Sequence, residues 1–266
     1  ETGIPFINQY PKSVYNAGTQ NWAITQNSKG FVYFGNNDGL LEFDGQEWQT
    51  YQLPVQSIIR SVLAVGDTIY TGSFEQIGYF APSATGRMEF QSLTPLIPQP
   101  YKSFDEIWKI HKTSEGIVFQ SFRYIFIYQN NKIRVIKPRT SFLYSFLVDK
   151  KLLVVDKEYG LFEVAPSGLK FISNHPTFMR EEVRCILALN DDEYLVGTFN
   201  NGIFLLRNNT LTPWETTLNK ELSDNILYTG IKLSNGFFAF GTIRNGIYIT
   251  NSKGIVYQHL NRQKGL

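Results

Sequence analysis

The sequence has a single cysteine, Cys185, and a low content of charged residues, 18% of 266. One thiol excludes an intrachain disulfide framework and a zinc-finger pattern. Cys185 lies between Arg184 and Ile186 in a predicted strand, so we expect it to be a small buried hydrophobic residue. The formal net charge is only +2 and the basic residues are scattered, so nucleic-acid binding is not expected. No stretch approaches the roughly 18 apolar residues of a membrane span.

The sequence also lacks helical patterns. No window of roughly 11 residues sustains apolar residues at i, i+3, i+4 and i+7, whereas Val, Ile, Tyr, Phe and Thr dominate the ordered stretches. Aromatic residues make up 15% of the chain, with 21 Phe and 15 Tyr, which suits the interfaces between stacked sheets. These features predict an all-β protein with almost no helix.

A motif recurs six times. A strand-like run ends in a polar tip, and the next strand-like run restarts with glycine or an aromatic residue followed by apolar residues. Clear copies of the tip are Gly35–Leu40, Gly197–Ile203 and Gly241–Ile247. The restart positions are 39, 78, 124, 160, 202 and 246. Their mean spacing of about 41 residues is typical of one supersecondary unit that packs against its neighbours.

The fifth repeat shows which unit this is. Strand-like runs at 183–189, 193–196, 202–206 and 211–217 are joined by short polar turns. Four short strands in a meander form one blade of a β-propeller. We therefore predict a single all-β propeller domain over residues 1–266, built of four-stranded antiparallel blades, with repeats at 21–54, 58–98, 105–138, 141–179, 181–222 and 224–262.

The start of the chain predicts an additional blade. Residues 3–10 resemble an outermost strand without the three strands that precede it in a blade. Propellers usually close by completing one blade from both chain ends. We therefore expect an incomplete ring of seven blades, or part of a longer protein. The sequence begins without Met, so a signal peptide could have been removed.

Catalytic and metal-binding patterns are missing. His111, His175 and His259 fall in different repeats without ligand spacing, and each is expected at a surface or edge. Neither a sialidase-type Ser-x-Asp-x-Gly-x-x-Trp turn nor a Gly-x-Ser-x-Gly elbow occurs. Acidic pairs such as Glu181-Glu182 are adjacent, so their side chains point in opposite directions on a strand. We predict no catalytic residue, no metal and no cofactor, and hence no enzyme.

A set of aromatic and arginine residues predicts a ligand site instead. In a blade, the start of the inner strand and the loop between its second and third strands open on one face. Strand starts lie 16 to 18 residues before each restart position, and tips on the same face add Phe74, Phe122, Tyr159 and Phe199. The predicted ligand-binding residues are Trp22, Arg60, Trp108, Arg123, Tyr144, Arg184, Tyr228 and Arg244.

Such residues suit a sugar. Aromatic faces stack on sugar rings, and guanidinium groups bind hydroxyls or carboxylates, so the ligand could be an acidic or a neutral glycan. Taken singly, each residue is better explained by packing between blades, and only the set indicates a site. Trp48 and Trp214 are expected on outer strands, packing between blades.

Three stretches carry a resemblance to a known family: Gly3–Ile7, Gln20–Gln26 and Val32–Gly45 followed by Trp48. Together with the tips Asn201-Gly202-Ile203 and Asn245-Gly246-Ile247, they resemble the two-component regulator propellers. The resemblance covers essentially the whole chain. It is weaker in repeats three and four, where Tyr124 replaces the tip glycine and Gln120 and Val155 replace the glycine that ends the strand.

The resemblance implies the periplasmic sensor of an inner-membrane regulator from Bacteroidetes-type bacteria, in a family where many members respond to oligosaccharides. In that family, a β-sandwich, a membrane helix and a cytoplasmic output follow the propeller. The output is a histidine kinase or a helix-turn-helix domain, and the opening is somewhat more similar to the DNA-binding branch. A homodimer would form through the full-length protein, and contact with the membrane would come only through those downstream segments.

Three functions stay open at this point. The first is a ligand-sensing module that binds a sugar without consuming it. The second is a protein-interaction or dimerisation platform without a small ligand of its own. The third is a propeller glycan lyase or hydrolase. A sensor also needs the ligand to favour one of two subunit arrangements, so the first two functions are compatible.

Overall fold

The computed structural model describes residues 6–266 of the chain. Within this range, 24 strands form six four-stranded antiparallel sheets, and each sheet is a meander of four consecutive strands. The predicted fold class, an all-β propeller of four-stranded antiparallel blades, is confirmed. Each sheet lies within the bounds of one predicted repeat. The prediction of a single domain over residues 1–266 stays a prediction.

The strands of the first three blades follow in chain order. Blade 1 contains β1 (Asn21–Gln26), β2 (Val32–Asn36), β3 (Gly39–Phe43) and β4 (Trp48–Tyr51). Blade 2 contains β5 (Ser61–Val65), β6 (Thr68–Ser73), β7 (Gln76–Pro82) and β8 (Met88–Ser92). Blade 3 contains β9 (Lys109–Thr113), β10 (Gly116–Gln120), β11 (Ile125–Gln129) and β12 (Lys132–Ile136).

The other three blades have the same order. Blade 4 contains β13 (Phe142–Val148), β14 (Lys151–Asp156), β15 (Gly160–Ala165) and β16 (Gly168–Ser173). Blade 5 contains β17 (Val183–Ala188), β18 (Glu193–Thr198), β19 (Gly202–Arg207) and β20 (Thr210–Pro213). Blade 6 contains β21 (Leu227–Lys232), β22 (Phe238–Thr242), β23 (Ile247–Thr250) and β24 (Val256–Leu260).

Short helices lie before, between and after the sheets in the chain. The α-helices are α1 (Lys12–Tyr15), α2 (Pro176–Arg180) and α3 (Thr217–Asp224), and single 3₁₀ turns lie at Thr94–Leu96, Gln99–Tyr101 and Arg262–Lys264. No helix within residues 6–266 is long and apolar enough to cross a membrane.

The helix α3 corrects the predicted fourth strand of repeat five. The strand was expected over 211–217, but β20 ends at Pro213 and α3 begins at Thr217. The Thr216 side chain caps α3 by accepting a hydrogen bond from the Asn219 N–H. Leu218 and Leu222 are buried on one side of the helix. A helix of 8 residues is too short to show a sustained apolar pattern at helical spacing, so the sequence does not predict it.

The chain divides into two compact units. The N-terminal unit is Gln9–Ser145, and the C-terminal unit is Phe146–Leu266 together with residues 6–8 of the described chain. In the N-terminal unit, one core between blades 1 and 2 includes Leu40, Ile59 and Ile69. A second core, between blades 2 and 3, includes Phe104 and Phe119. Apolar residues on facing sheet surfaces therefore hold successive blades together.

The C-terminal unit has its own core between blades 5 and 6. It includes Cys185, Leu195, Trp214 and Phe240. Cys185 is buried and has no disulfide, as predicted. Trp214 follows directly after β20, and its ring lies 6.3 Å from that of Phe240, so it packs between blades.

Trp48 packs within the N-terminal unit, at the start of β4. It stacks on Phe43 with ring centroids 4.4 Å apart, and Tyr10 contacts it edge-on at 5.3 Å. Tyr10 was predicted to end an outermost strand, but residues 6–10 form no strand, so that part of the prediction is wrong. Residues 3–5 of the expected strand lie outside the described residues. The aromatic contacts of Tyr10 account for its position without strand pairing.

The seventh blade stays a prediction. In blade 5, Leu187 packs against the core shared with blade 6. In blade 6, Ile231 lies on the inner strand at the position that corresponds to Leu187 and is 54% exposed. Ile231 is therefore exposed on this face of blade 6.

The tips follow the predicted pattern in most blades. Gly39, Gly160, Gly202 and Gly246 each lie at or next to the start of the third strand with a positive φ. At Gly39, with φ 130°, a Cβ atom would collide with the carbonyl oxygen of Tyr51 at the end of β4. Gly78 does not fit this role because it lies inside β7, and its contact with the Phe90 ring explains why it is glycine.

Candidate functional site

Backbone hydrogen bonds place the starts of successive inner strands side by side in the N-terminal unit. A residue at the start of each inner strand, or two positions before it, donates its N–H to the tip region of the preceding blade. These bonds are Ile59 N to Asn36 O at 3.2 Å, Ile107 N to Ser73 O at 3.3 Å and Phe142 N to Phe122 O at 2.8 Å. The side chains that follow therefore meet at one end of blades 1 to 4.

Five of these side chains form what we call the Trp22 cluster: Trp22, Arg60, Trp108, Phe122 and Tyr144. The Arg60 guanidinium lies 3.7 Å from the centroid of the Trp22 ring and 5.5 Å from that of Trp108. Trp108 stacks on Phe122 at 5.4 Å, and Tyr144 meets Trp108 edge-on at 6.2 Å. Contacts between a cation and aromatic faces stabilise this arrangement.

Polar partners fix the orientation of Trp22 and Arg60. The Trp22 indole donates a hydrogen bond from Nε1 to Asn37 Oδ1 at 2.8 Å, and Asn37 belongs to the tip of blade 1. Arg60 Nε lies 3.2 Å from Glu106 Oε1, and the side chains are only 15% and 20% exposed. This ion pair is therefore largely removed from water, which strengthens the attraction but makes an unpaired charge costly.

The ion pair leaves polar atoms without hydrogen-bond partners among the described residues. They are Arg60 Nε, Arg60 Nη1 and Glu106 Oε2, all of which are buried. The distance from Arg60 Nε to Glu106 satisfies an ion pair, but the N–H direction does not satisfy a hydrogen bond. A donor group and an acceptor group therefore lie together with unused hydrogen-bonding capacity.

Arg123 joins this region through the segment before β9. It lies at the tip of blade 3 and pairs with Asp105, with Nε to Oδ2 at 3.0 Å. Asp105 directly precedes Glu106, so one short segment supplies the carboxylates that pair with Arg60 and Arg123. Arg123 is more accessible than Arg60, since 55% of its side chain is exposed.

The C-terminal unit contains a smaller set, the Arg184 cluster: Glu182, Arg184, Phe199 and Tyr228. The Arg184 guanidinium lies 4.6 Å from the Phe199 ring centroid and 5.0 Å from that of Tyr228. Its Nη2 atom pairs with Glu182 Oε1 at 3.1 Å. The same combination of guanidinium, carboxylate and aromatic faces is therefore built a second time, from blades 5 and 6.

Arg244 lies apart from both clusters. Its Nη1 donates to the Asp224 carbonyl oxygen at 3.3 Å. It borders a cavity of about 410 Å³ between the tip of blade 6 and the segment 261–266, together with Arg262. Of the eight predicted residues, Trp22, Arg60, Trp108 and Tyr144 are thus in contact with one another, Arg123 is linked through Asp105, and Arg184 contacts Tyr228. Whether they bind a ligand stays a prediction.

Sequence reasoning missed the carboxylates. Asp105, Glu106 and Glu182 lie two or three residues before a predicted strand start. Only Glu182 is close in sequence to its partner arginine, and that proximity is the available signal. The adjacency of Glu181 and Glu182 argued only against a shared catalytic role, and the structure shows that Glu182 is the ion-pair partner of Arg184. Asn37 was included in a tip motif without a role, and it orients Trp22.

The prediction for His111 is wrong. It was expected at a surface or edge, but it lies on the inner strand β9, and its Nε2 is 3.0 Å from Oγ of the buried Ser145. Loss of hydration lowers the pKa of His111 from 6.5 to about 4, and the positive charge of Lys109 adds to the effect. Sequence periodicity could not reveal this, because His111 faces a polar neighbour 34 positions away.

The other two histidines have structural contacts. His175 precedes α2, and its side chain accepts a hydrogen bond from the Thr177 N–H. His259 lies in the outer strand β24 and stacks on Tyr248 of β23. In the part of the chain that the structure describes, no group of three or more His, Cys, Asp or Glu residues could hold a metal ion.

Comparisons with known proteins identify the fold only. No protein-family model matches the chain, and neither does any curated protein sequence. Virginiamycin B lyase from Staphylococcus aureus is a similar solved structure, with 16% identity and a TM-score of 0.68 over 91% of this chain and 85% of that chain. YCF48 bound to D1 peptide matches with 11% identity and a TM-score of 0.70 over 99% and 90%.

A third similar structure is the extracellular domain of a hybrid two component system from B. thetaiotaomicron. It matches with 19% identity and a TM-score of 0.66, over 92% of this chain but only 33% of that chain. At identities of 11 to 19%, the likeness to these three proteins shows a β-propeller fold and no more.

Proposed function

We propose that this chain is the ligand-sensing propeller of a membrane-anchored regulator, located outside the cytoplasm in the periplasm, and that it responds to an oligosaccharide. The observation that carries the proposal is the Trp22 cluster, in which four blades contribute aromatic rings and a guanidinium at one end of the N-terminal unit. The sequence resemblance to two-component regulator propellers and the similarity to an extracellular domain of a two component system support it.

The chemistry of the cluster is suited to a sugar ring. Aromatic rings offer apolar faces for the C–H side of the ring, and the Arg60–Glu106 pair offers donors and acceptors for hydroxyl groups. Binding that favours one of two subunit arrangements in the full-length protein would transmit the signal, and we propose a homodimer for that reason. We propose no catalysis, so the ligand leaves unchanged.

A thermal-shift screen against plant, host and microbial oligosaccharides tests the proposal. Because binding to the native state alone raises the melting temperature, a sensor is stabilised by one class of glycan. Chromatography of that glycan after incubation should show no products. Stabilisation by no glycan contradicts a sugar sensor, and products would identify a lyase or hydrolase.

Matched tryptophan variants locate the site. Trp108→Leu removes an aromatic face from the Trp22 cluster and should weaken binding by about 1 to 3 kcal/mol. Trp48→Leu removes a tryptophan that packs on Phe43 in blade 1, outside the cluster. It should lower stability while leaving the dissociation constant unchanged. Calorimetric titration of both variants measures this, and equal loss of affinity in the two would contradict the site.

A second candidate is a protein-interaction platform. Blade 6 exposes the apolar side chains Tyr228, Ile231 and Ile243, each more than half exposed. The similar structure of YCF48 was solved bound to a peptide, which supports the idea that a face of this fold can bind protein. Sedimentation velocity without sugar tests it. Self-association that Ile231→Ser abolishes favours the platform, whereas a monomer at all concentrations contradicts association through this face.

A further inference from the structure

Three of the four arginines predicted to bind a ligand are already neutralised. Arg60 pairs with Glu106 at 3.2 Å, Arg123 with Asp105 at 3.0 Å, and Arg184 in the C-terminal unit pairs with Glu182 at 3.1 Å. In each case, the carboxylate lies within four residues of the start of an inner strand. From this pattern we infer that the ligand is an uncharged oligosaccharide and not an acidic one. The inference rests on the function proposed above.

The charge balance around the Trp22 cluster supports this. The tips and strand starts of blades 1 to 3 carry three cationic side chains, Arg60, Lys109 and Arg123. The same segments carry four carboxylates: Asp38, Glu75, Asp105 and Glu106. A uronic acid would therefore meet no excess of positive charge, and its carboxylate would be repelled by those already present.

The burial of the ion pair makes exchange of partners costly. A ligand carboxylate that displaced Glu106 from Arg60 would leave Glu106, whose side chain is only 20% exposed, without its counter-charge. A carboxylate left unpaired in such surroundings loses its hydration without gaining a partner. An acidic sugar would gain one ion pair by breaking another, so the net advantage of its charge is lost.

Hydroxyl groups match the unused capacity of the pair. Arg60 Nη1 is a donor and Glu106 Oε2 is an acceptor, and neither has a hydrogen-bond partner among residues 6–266. A sugar hydroxyl can accept a hydrogen bond from Arg60 Nη1 and donate one to Glu106 Oε2, because a hydroxyl group is both a donor and an acceptor. Both atoms are covered in the structure, so the pair must shift outward to reach the ligand. The carboxylate and guanidinium then stay paired while a neutral sugar binds.

Oligosaccharide pairs that differ only in the carboxyl group test the inference. Suitable probes are oligogalacturonides and alginate oligomers, each with its carboxyl-reduced counterpart of equal length. The neutral member of at least one pair should bind at least about tenfold more tightly than the acidic member in calorimetric titration. Its affinity should not change with NaCl concentration, because no net charge is neutralised.

The outcomes separate the inference from the proposed function. Binding of the acidic members with equal or higher affinity overturns the inference and leaves an oligosaccharide sensor standing. If no member of any pair binds or stabilises the chain, the proposed function fails, and the inference fails with it.

A charge variant provides a second test. Glu106→Gln leaves Arg60 without its counter-charge, so the affinity for the acidic members should rise by about tenfold and become salt-dependent. Asp67→Asn is the matched control, because it removes a carboxylate from the exposed Lys29–Asp67 pair, whose carboxylate lies in the turn between β5 and β6. Unchanged acidic affinity in a folded Glu106→Gln variant contradicts the role assigned to this carboxylate, and melting curves establish that the variant is folded.

Discussion

Single residues in this chain are best understood through their partners. Arg60 at a strand start was predicted to be a ligand-binding residue, and the structure shows a guanidinium between two tryptophans and beside a carboxylate. His111 was predicted at a surface and lies next to the buried Ser145. In both cases, the type of residue was informative, but its environment came from residues more than thirty positions away.

The pKa of His111 predicts a loss of stability in acid. Folding favours the neutral imidazole, because the pKa is about 4 in the folded chain against 6.5 when unfolded. The contribution of neutral His111 to the unfolding free energy is complete above pH about 6.5 and is lost as the pH falls towards about 4. The total loss is about 3 kcal/mol at most. Urea unfolding should be measured at a series of pH values from neutral to acidic. The unfolding free energy of His111→Gln should fall less steeply with decreasing pH than that of the wild type. Equal slopes would contradict the prediction.

Gly202 predicts a local defect in blade 5. Its φ is 67°, and a Cβ atom would collide with Asn219, whose side chain bonds to both the N–H and the carbonyl of Ile203. Gly202→Val should therefore lower the unfolding free energy by about 2 to 4 kcal/mol. Gly236→Val is the control, since φ is 83° there and no atom lies within 4 Å of the added carbon. Equal losses in the two variants would show that contact with Asn219 is unimportant.

At the scale of elements, each sheet has two faces, and the neighbouring sheets determine which face is buried. Directly paired residues of antiparallel strands share a face, as Leu195 and Leu205 do in blade 5. That face is buried in the core shared with blade 6. The equivalent face of blade 6 carries Ile231, paired with Ala239, and Ile231 is half exposed. Alternation in sequence therefore identifies strands but does not identify the covered face.

Truncation of isoleucine measures this difference between faces. Ile203 is fully buried and Ile231 is 54% exposed. Ile203→Ala should cost about 2 to 5 kcal/mol in unfolding free energy, because it leaves a cavity, whereas Ile231→Ala should cost less than about 1 kcal/mol. Chemical denaturation of the two variants provides the measurement. A comparable loss at both positions would mean that another part of the protein covers the face at Ile231.

At the scale of the whole molecule, the chain is a series of local sheets, since the four strands of every blade are consecutive in sequence. The second and third strands of each sheet are paired on both sides, whereas the first and fourth strands are paired on one side only. In the C-terminal unit, β18 pairs with both β17 and β19 and buries Leu195 and Val196, whereas β24 is an outer strand with Val256 and Tyr257 exposed.

Hydrogen exchange should follow this arrangement. We expect the amides of β18 to exchange slowest in the C-terminal unit and those of β24 to exchange fastest among the strands of blade 6. Mass spectrometry of exchanged peptides measures both. Faster exchange in β18 than in β24 would contradict the expected order of local stability.

The sequence by itself determined the fold class, the repeat length and the strand starts. Short polar turns at regular spacing and alternating apolar residues act locally, so the fifth repeat alone revealed a four-stranded blade. The sequence also indicated that the side chains of Trp22, Arg60, Trp108 and Tyr144 would lie at one end of their blades. It could not predict α3, which is too short for a periodic pattern and depends on packing of Leu218 and Leu222.

Tertiary structure alone decided the electrostatics of the site and the exposure of Ile231 in blade 6. The ion pairs of Arg60 and Arg123 with the segment 105–106 join different blades or loops, and no local pattern encodes them. The pKa of His111 likewise depends on its removal from water. Local sequence determines which residues form strands and turns, whereas charge pairing and burial depend on chain segments that meet only when the sheets pack together.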